Sequence, residues 1–243
     1  MPLKDAKPYL RSVSVAPGAA VDLERYPFTI PAVRDLGTLE PHPDVTFFVG
    51  ENGAGKSTVL EAIAVALGMP AEGGTRNVHR QQQETSPLHA VLRVAKGWRW
   101  PRHSYFLRAE SLYNVFSYLD SVNDGRGGPS LHLRSHGESF MDVLQNFRGD
   151  GFYLLDEPEA ALSPNRQLAA LSVIDQLVKQ GAQFIIATHS PILLAYPNAK
   201  ILSFDATGIT EIAYEDTEHY AVTRDFLSHY PKRLRQLLDD GDD

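Results

Sequence analysis

Eight consecutive residues, from Gly50 to Ser57, combine glycines with a lysine and a serine at fixed spacing. They read Gly-Glu-Asn-Gly-Ala-Gly-Lys-Ser and fit the pattern G-x-x-x-x-G-K-[ST] at every fixed position. Such a loop points backbone N–H groups at phosphate oxygens, and the N-terminus of the following helix adds a favourable dipole. Lys56 is expected to reach the β- and γ-phosphates, and Ser57 to bind Mg²⁺. The residues expected to contact ATP are Gly50, Asn52, Gly53, Ala54, Gly55, Lys56, Ser57 and Thr58.

Two adjacent carboxylates follow a second apolar run, Phe152 to Leu155. Ending a buried strand in two acids is expensive unless a cation or a proton-transfer task awaits them. Asp156 is expected to bind Mg²⁺ opposite Ser57, and Glu157 to activate the attacking water in phosphoryl transfer. The acid pair alone is a weak signal, so its meaning depends on the phosphate loop.

A third apolar run, Phe184 to Ala187, leads into Thr188, His189 and Ser190. A histidine at this strand end is expected to contact the γ-phosphate or the attacking water. A lone strand-end histidine more often only makes a structural hydrogen bond. Its position beside the other two motifs favours the catalytic interpretation.

The segment that begins at Ser135 has two interpretations. Ser135 and Glu138 have the spacing of a capping box, in which the serine caps a helix and the glutamate returns to its backbone. A helix N-terminus with Gly137 in its first turn is also an anion site.

The pattern of apolar residues predicts the elements that position these motifs. Strands that alternate with helices favour an α/β fold in layers around a mainly parallel sheet. Strands are predicted over residues 10–15, 45–49, 104–109, 151–155 and 183–187, and helices over 59–67, 112–119 and 168–178.

Composition narrows the choice of function. The 243 residues include no cysteine, which excludes disulfides, iron–sulfur clusters and thiol nucleophiles. No apolar run is long enough to span a membrane, and the first residues lack a signal-peptide core, so a cytoplasmic protein without membrane insertion is expected. The net charge is −7, yet residues 76–108 hold seven basic residues and one acid, a local charge of +6.

Taken together, the ordered motifs resemble those of the ATP-binding-cassette (ABC) ATPases. More narrowly, the sequence is similar to small stand-alone bacterial AAA-type ATPases related to the RecF and SMC repair proteins. The resemblance implies one P-loop NTPase domain over residues 1–243. Its nucleotide-binding core would take about residues 1–75 and 145–243, and a helical signature lobe about 76–144.

The resemblance also implies a head-to-tail homodimer that encloses ATP. Ser135, Gly137 and Glu138 would then face the γ-phosphate of the partner's nucleotide, and Ser163 would lie in the loop at the dimer interface. The segment reads Ser-His-Gly-Glu-Ser rather than the transporter form Ser-Gly-Gly-Gln. This departure favours the non-transporter branch.

Two family roles fall on less distinctive residues. The family places a glutamine between the phosphate loop and the signature, and Glu110, which follows a predicted strand, is the best match. By analogy with repair-type relatives, Arg11 is the candidate for adenine recognition, with Tyr9 and Tyr26 as alternatives.

Three functions fit the sequence. The first is an Mg²⁺-dependent ATP hydrolase coupled to DNA repair or defence, with the basic segment 76–108 contacting DNA. The second is the nucleotide-binding subunit of a membrane transporter. The third is an ATP-gated switch that binds a protein partner.

Overall fold

A seven-stranded, mainly parallel sheet lies at the centre of the computed structural model, which describes residues 7–75, 86–109 and 136–238. The strand order is β3-β5-β6-β7-β2-β8-β9, and only the β3–β5 and β8–β9 pairs are antiparallel. The α/β fold class predicted from the sequence is therefore confirmed. The strands of this sheet are β2 (Val45–Val49), β3 (Gly74–Thr75), β5 (His103–Arg108), β6 (Gly151–Asp156), β7 (Gln183–Ala187), β8 (Lys200–Asp205) and β9 (Gly208–Ile212).

The three innermost strands, β2, β6 and β7, are buried along their whole length. Such strands suit the middle of a parallel sheet that is covered on both faces. Their register aligns Phe48, Ala187 and Asp156 across the sheet, so the three strands end at the same edge. The residues that follow these strands therefore share that edge.

Helices cover both faces of the sheet and separate two apolar clusters. Consecutive residues of a strand point to opposite faces, so Leu154 and Leu155 belong to different clusters. On one face Leu60 and Ile63 of a helix pack with Leu154. On the other face the sheet packs against Phe140, Leu144, Ala170, Ile174 and Leu177.

The predicted helix after the phosphate loop and the predicted helix that ends at Gly181 are both present. Gly181 has φ +117°, the left-handed conformation that favours glycine at a helix end. The helices are α1 (Pro31–Arg34), α2 (Lys56–Ala66), α3 (Leu88–Val91), α4 (His136–Gln145), α5 (Pro164–Gln180), α6 (Pro191–Leu194) and α7 (Glu218–Leu238). Short 3₁₀ turns occupy Pro158–Ala161 and Tyr214–Asp216.

Residues 86–109 differ from the helical lobe expected to begin near residue 76. They form α3 and two strands, and β5 lies inside the main sheet beside β6. The other strand, β4 (Leu92–Lys96), pairs with β1 (Leu10–Val15) in a separate antiparallel ribbon. This part of the chain therefore belongs to the sheets. The predicted helix over 112–119 lies outside the described residues.

The C-terminal helix α7 has no buried residue along its 21 positions. It bends at His229, two residues before Pro231, whose ring and missing N–H interrupt a helix. Neither α7 nor any other helix in the described ranges combines the length and apolarity needed to cross a bilayer.

Candidate functional site

The glycine loop between β2 and α2 folds around the side chain of Lys56. Its Nζ donates hydrogen bonds to the carbonyl oxygens of Gly50 at 2.7 Å and Glu51 at 2.9 Å. Gly50 has φ +139°, and a Cβ there would lie 2.2 Å from the carbonyl oxygen of Phe204. Gly55, also left-handed at φ +100°, directly precedes the helix. The loop therefore needs glycine at both positions to adopt this shape.

The ammonium group of Lys56 interacts electrostatically with three carboxylates. Burial lowers the pKa of Lys56, while Glu157, Asp156 and Glu159 oppose that shift. A lysine with only 4% of its surface exposed is costly unless it is paired. The loop carbonyl oxygens accept hydrogen bonds from the ammonium group, and the acids provide opposite charge. The cation therefore lies beside the loop that is predicted to bind phosphate.

Ser57 and Asp156 come together where α2 begins and β6 ends. The Ser57 hydroxyl donates a hydrogen bond to Asp156 Oδ1 at 2.8 Å. The other carboxylate oxygen lies 3.4 Å from Nε of Arg108, which also contacts Glu61 at 2.9 Å. Mg²⁺ in phosphate-binding sites takes one or two protein oxygens and completes its shell with phosphate and water. A hydroxyl beside a carboxylate fits that donor set.

Glu157 and His189 follow the neighbouring strands β6 and β7, and their side chains face each other. Glu157 has φ +49° and ψ +52°, a left-handed conformation that is uncommon for residues other than glycine. Its Oε1 lies 3.8 Å from Nε2 of His189, beyond hydrogen-bond distance. Burial and the nearby Lys56 lower the pKa of His189, although Glu157 opposes the shift. The site therefore favours a neutral imidazole beside a carboxylate.

Glu159 is a site residue that the sequence reasoning missed. Its carboxylate accepts hydrogen bonds from the Thr188 hydroxyl at 2.7 Å and from the backbone N–H of His189. Burial raises the pKa of Glu159, and these two hydrogen bonds oppose the shift. Glu159 thus fixes the backbone that carries His189. The acid two residues after Glu157 was the available signal.

His219, at the start of α7, is a second missed residue. Its Nε2 lies 2.9 Å from Nδ1 of His189, and the ring planes are tilted by 57°. The pair lines a cleft of about 550 Å³ beside the phosphate loop. Asn52 and Glu218 also line this cleft. No sequence pattern marked His219, because it lies outside the strand-end motifs.

Comparisons with known sequences find similarity to an AAA family model and to ABC transporter proteins. A family model described as an AAA domain matches residues 30–92. The ABC multidrug transporter C of Aspergillus fumigatus is 26% identical over 188 residues, covering 67% of this chain and 12% of the transporter. The energy-coupling factor transporter ATP-binding protein EcfA2 of Methanospirillum hungatei is 26% identical over 227 residues, covering 81% of this chain and 56% of that protein. The chain thus spans only part of the length of these relatives.

Comparison with solved structures identifies the fold. The SMC head bound to the C-winged helix domain of ScpA superposes with a TM-score of 0.51 at 14% identity, covering 86% of this chain and 99% of that one. The chain therefore has the fold of that SMC head. The resemblance stated from the motif order is confirmed at this level.

Two of the residues expected in the signature and at the interface, Glu138 and Ser163, are exposed. Glu138, in the first turn of α4, has 53% of its side chain exposed and lies 3.2 Å from Arg166 of α5. Ser163 is exposed at the start of α5, where its carbonyl accepts a hydrogen bond from Gln167 N. Gly137 lies in the first turn of α4. Ser135 and Glu110 lie outside the described residues, so their roles stay predictions.

The three candidates for adenine recognition lie in different surroundings. Tyr9 is buried in the core with 1% of its surface exposed, so it is not accessible to a base. Arg11 is exposed on β1, in the ribbon outside the main sheet. Tyr26 has 58% of its surface exposed, and its hydroxyl lies 3.1 Å from Oγ1 of Thr58 in α2. Among the three, Tyr26 is thus placed at the phosphate loop.

The basic segment divides into structural and exposed residues. Arg108 joins Glu61 to Asp156 and is therefore part of the site rather than of a basic surface. Trp100 packs on Phe152 at a centroid distance of 5.5 Å. Arg76 and Arg80 lie outside the described residues. The exposed members are Arg93, Lys96, Trp98 and Arg102.

Proposed function

We propose that the protein binds Mg-ATP and hydrolyses it between two copies arranged head to tail. The observation that carries the proposal is the convergence of four groups at one sheet edge. These groups are Lys56 in its loop, the Ser57–Asp156 pair 2.8 Å apart, and the facing side chains of Glu157 and His189. For phosphoryl transfer, Lys56 supplies the cation, the Ser57–Asp156 pair the metal ligands, Glu157 the base and His189 a polar partner for the phosphate.

Each group has a defined task in this mechanism. The glycine loop and Lys56 bind the phosphate chain, and Tyr26 stacks on the base. Ser57 and Asp156 would hold Mg²⁺, which when bound would supply positive charge to the phosphates. Glu157 orients a water and accepts its proton. His189 donates a hydrogen bond through Nε2 to the γ-phosphate, where negative charge must be stabilised.

The exposed position of Glu138 and Ser163 supports the dimer. Both residues lie on the surface, at the N-terminal ends of α4 and α5, and neither is in contact with Lys56 or Ser57 among the described hydrogen bonds and ion pairs. A second copy would bring its own Glu138 and Ser163 to the nucleotide. This arrangement makes each site composite, with a phosphate loop from one chain and a signature helix from the other.

Complementation between two inactive variants tests this arrangement. We expect Lys56→Ala and Glu138→Lys each to lose most ATPase activity when assayed alone. After equimolar mixing, about a quarter of wild-type activity should return, because half of random dimers are mixed and each has one intact site of two. No recovery on mixing, with both variants folded, would show that the two residues act on the same site within one chain.

The control for mixing is a pair of variants that touch the same half of each composite site. Lys56→Ala mixed with Ser57→Ala damages the phosphate loop of both chains, so every composite site stays defective. This mixture should remain inactive at all ratios. Activity here would indicate residual turnover by one of the variants rather than complementation.

Coupling to DNA repair or defence is the finer part of the proposal. It is supported by the exposed Arg93, Lys96, Trp98 and Arg102, which offer cations and a stacking surface to single-stranded DNA. The test is fluorescence anisotropy with labelled DNA, with and without ATP, at two salt concentrations. Binding should weaken with salt and with Arg93→Ala/Arg102→Ala; binding that is absent or independent of salt would end this interpretation.

The sequence relatives support a second candidate, the nucleotide-binding subunit of a transporter. The matched relatives bear the names of ABC transporters and of a transporter ATP-binding protein. Co-purification with a polytopic membrane protein would favour this role over DNA binding. An ATP-gated switch would instead combine very slow hydrolysis with ATP-dependent binding of a protein partner.

A further inference from the structure

The geometry points to His219 as a positioning residue that holds His189 in the Nε2–H tautomer. This inference deepens the proposed function and rests on it for the role of His189. The two imidazoles meet through Nδ1 of His189 and Nε2 of His219, 2.9 Å apart. One of these nitrogens must therefore carry a proton and the other a lone pair.

The surroundings decide which nitrogen carries the proton. Nε2 of His189 points toward the Glu157 carboxylate at 3.8 Å, and a carboxylate favours an N–H over a lone pair at that position. A neutral His189 protonated at Nε2 has a lone pair at Nδ1. His219 must then donate from its own Nε2.

Either arrangement leaves one buried N–H without a hydrogen-bond partner, at Nε2 of His189 or at Nδ1 of His219, so the nearby carboxylate decides between them. If His189 donated from Nδ1, its Nε2 lone pair would face Glu157. The proton of His219 would then lie on Nδ1, a buried atom without a hydrogen-bond partner. A carboxylate repels a lone pair that faces it and attracts an N–H. Donation by His219 avoids that repulsion and leaves the Nε2–H of His189 available to the γ-phosphate.

The start of α7 is anchored to the segment that follows His189. The Tyr214 hydroxyl donates to the carbonyl oxygen of Pro191 at 2.8 Å, and its ring packs on Tyr220 at a centroid distance of 4.6 Å. Buried Thr217 donates through its hydroxyl to Tyr214 and accepts from the backbone of Tyr220. The first turn of α7 is therefore fixed, although the helix itself buries no residue.

Charged groups from three directions surround the pair. Burial is the main cause that lowers the pKa of both histidines; Lys56 of α2 lowers both further, and His189 also lowers the pKa of His219. Glu157 opposes this shift at His189, and Glu218 and Glu159 oppose it at His219. The pair is thus held neutral near neutral pH, which is the state that a tautomer-setting hydrogen bond requires.

Nitrogen NMR on the full chain tests the tautomer without requiring turnover. Two-bond ¹H–¹⁵N spectra report which imidazole nitrogen is protonated, and His189→Gln assigns the signal. Wild type and His219→Gln, whose amide N–H replaces the donor, should show the Nε2–H form of His189. His219→Ala should show a mixture of both tautomers. An unchanged tautomer in His219→Ala would overturn the inference.

Kinetics supply the second measurement. We expect His219→Ala to lower kcat roughly tenfold, the effect typical of residues that orient a functional histidine. KM for ATP should stay within about twofold, and His219→Gln should restore most of kcat. The acid limb of the pH profile should move to higher pH in His219→Ala, because water then reaches His189 and the donor to its neutral form is lost.

His229→Ala is the matched control, since it removes a histidine from the same helix. The side chain of His229 is 61% exposed and contacts only Asp225 among its described partners. It should leave kcat and the His189 signal unchanged. If kcat in His219→Ala also stays at the wild-type value, the inference fails. If the wild type itself does not hydrolyse ATP, the proposed function fails, while the tautomer measurement still decides the inference.

Discussion

The two halves of the site differ in how completely their polar atoms are paired. In the binding half (Lys56, Ser57 and Asp156), each charged or hydroxyl group has a hydrogen-bond or ion-pair partner within 3.4 Å. In the reaction half (Glu157, His189 and His219), Glu157 stands 3.8 Å from His189, and two imidazole nitrogens lack hydrogen-bond partners.

In the binding half, the chain itself completes the hydrogen bonds. In the reaction half, the hydrogen bonds become complete only when substrate and water bind. A paired network holds its geometry before ligand arrives and so favours affinity. Buried polar atoms left without partners need water or substrate to reach them before their hydrogen bonds are complete. We therefore expect substitutions in the binding half to change nucleotide affinity, and those in the reaction half to change turnover.

The largest expected effect is on turnover in Glu157→Gln. The amide keeps the shape of the side chain but cannot accept the proton of the attacking water, so kcat should fall by about 10²–10⁴. ATP affinity, measured with a fluorescent analogue, should stay within about twofold. Size-exclusion chromatography should show a dimer that accumulates only with Mg-ATP.

Glu211→Gln is the control for this charge change, because Glu211 is 63% exposed on β9 and pairs with Lys200. It should hydrolyse ATP at the wild-type rate. Normal turnover in Glu157→Gln itself would show that another group activates the water.

The next effect is on affinity in Lys56→Ala. Removing the ammonium group takes away charge-assisted hydrogen bonds to phosphate, so ATP should bind roughly 100-fold more weakly. It also leaves the carbonyls of Gly50 and Glu51 without their donor. Isothermal titration measures the affinity directly. Lys179→Ala, on the exposed face of α5, should bind ATP as the wild type does.

Much of the binding half could be predicted from the sequence, because its chemistry lies in one continuous segment. The reaction half could be predicted in part. Glu157 and His189 follow strands that could be recognised from their apolar runs. His219 could not, because the contact depends on how the start of α7 packs. The position of β5 in the main sheet was missed for the same reason: it depends on pairing between Arg108 and Asp156, 48 positions apart.

Backbone shape in the binding half allows a third test, Gly50→Ala. The added Cβ would meet the Phe204 carbonyl oxygen at 2.2 Å, and the residue would keep φ near +139°. We expect the free energy of unfolding to fall by roughly 2–3 kcal/mol. Gly53→Ala is the matched control, since φ is +82° but no atom lies within 4 Å of the new Cβ. Urea denaturation should show a much smaller loss there; equal losses would mean that φ alone determines the cost.

The smallest expected effect is on the pH dependence of stability in the reaction half. The pKa of both histidines is lowered below 6.5, so the unfolded chain binds protons more readily than the folded one. Stability should therefore fall as pH drops below about 6.5. The raised pKa of Glu159 acts in the opposite direction at lower pH, where the folded chain takes up a proton first.

A comparison of the wild type with His219→Gln isolates the effect of the histidines, because Glu159 is present in both proteins. Urea midpoints at pH 7.5 and 5.5 should differ less in His219→Gln, and an equal difference would show that the pair is not held neutral by its surroundings.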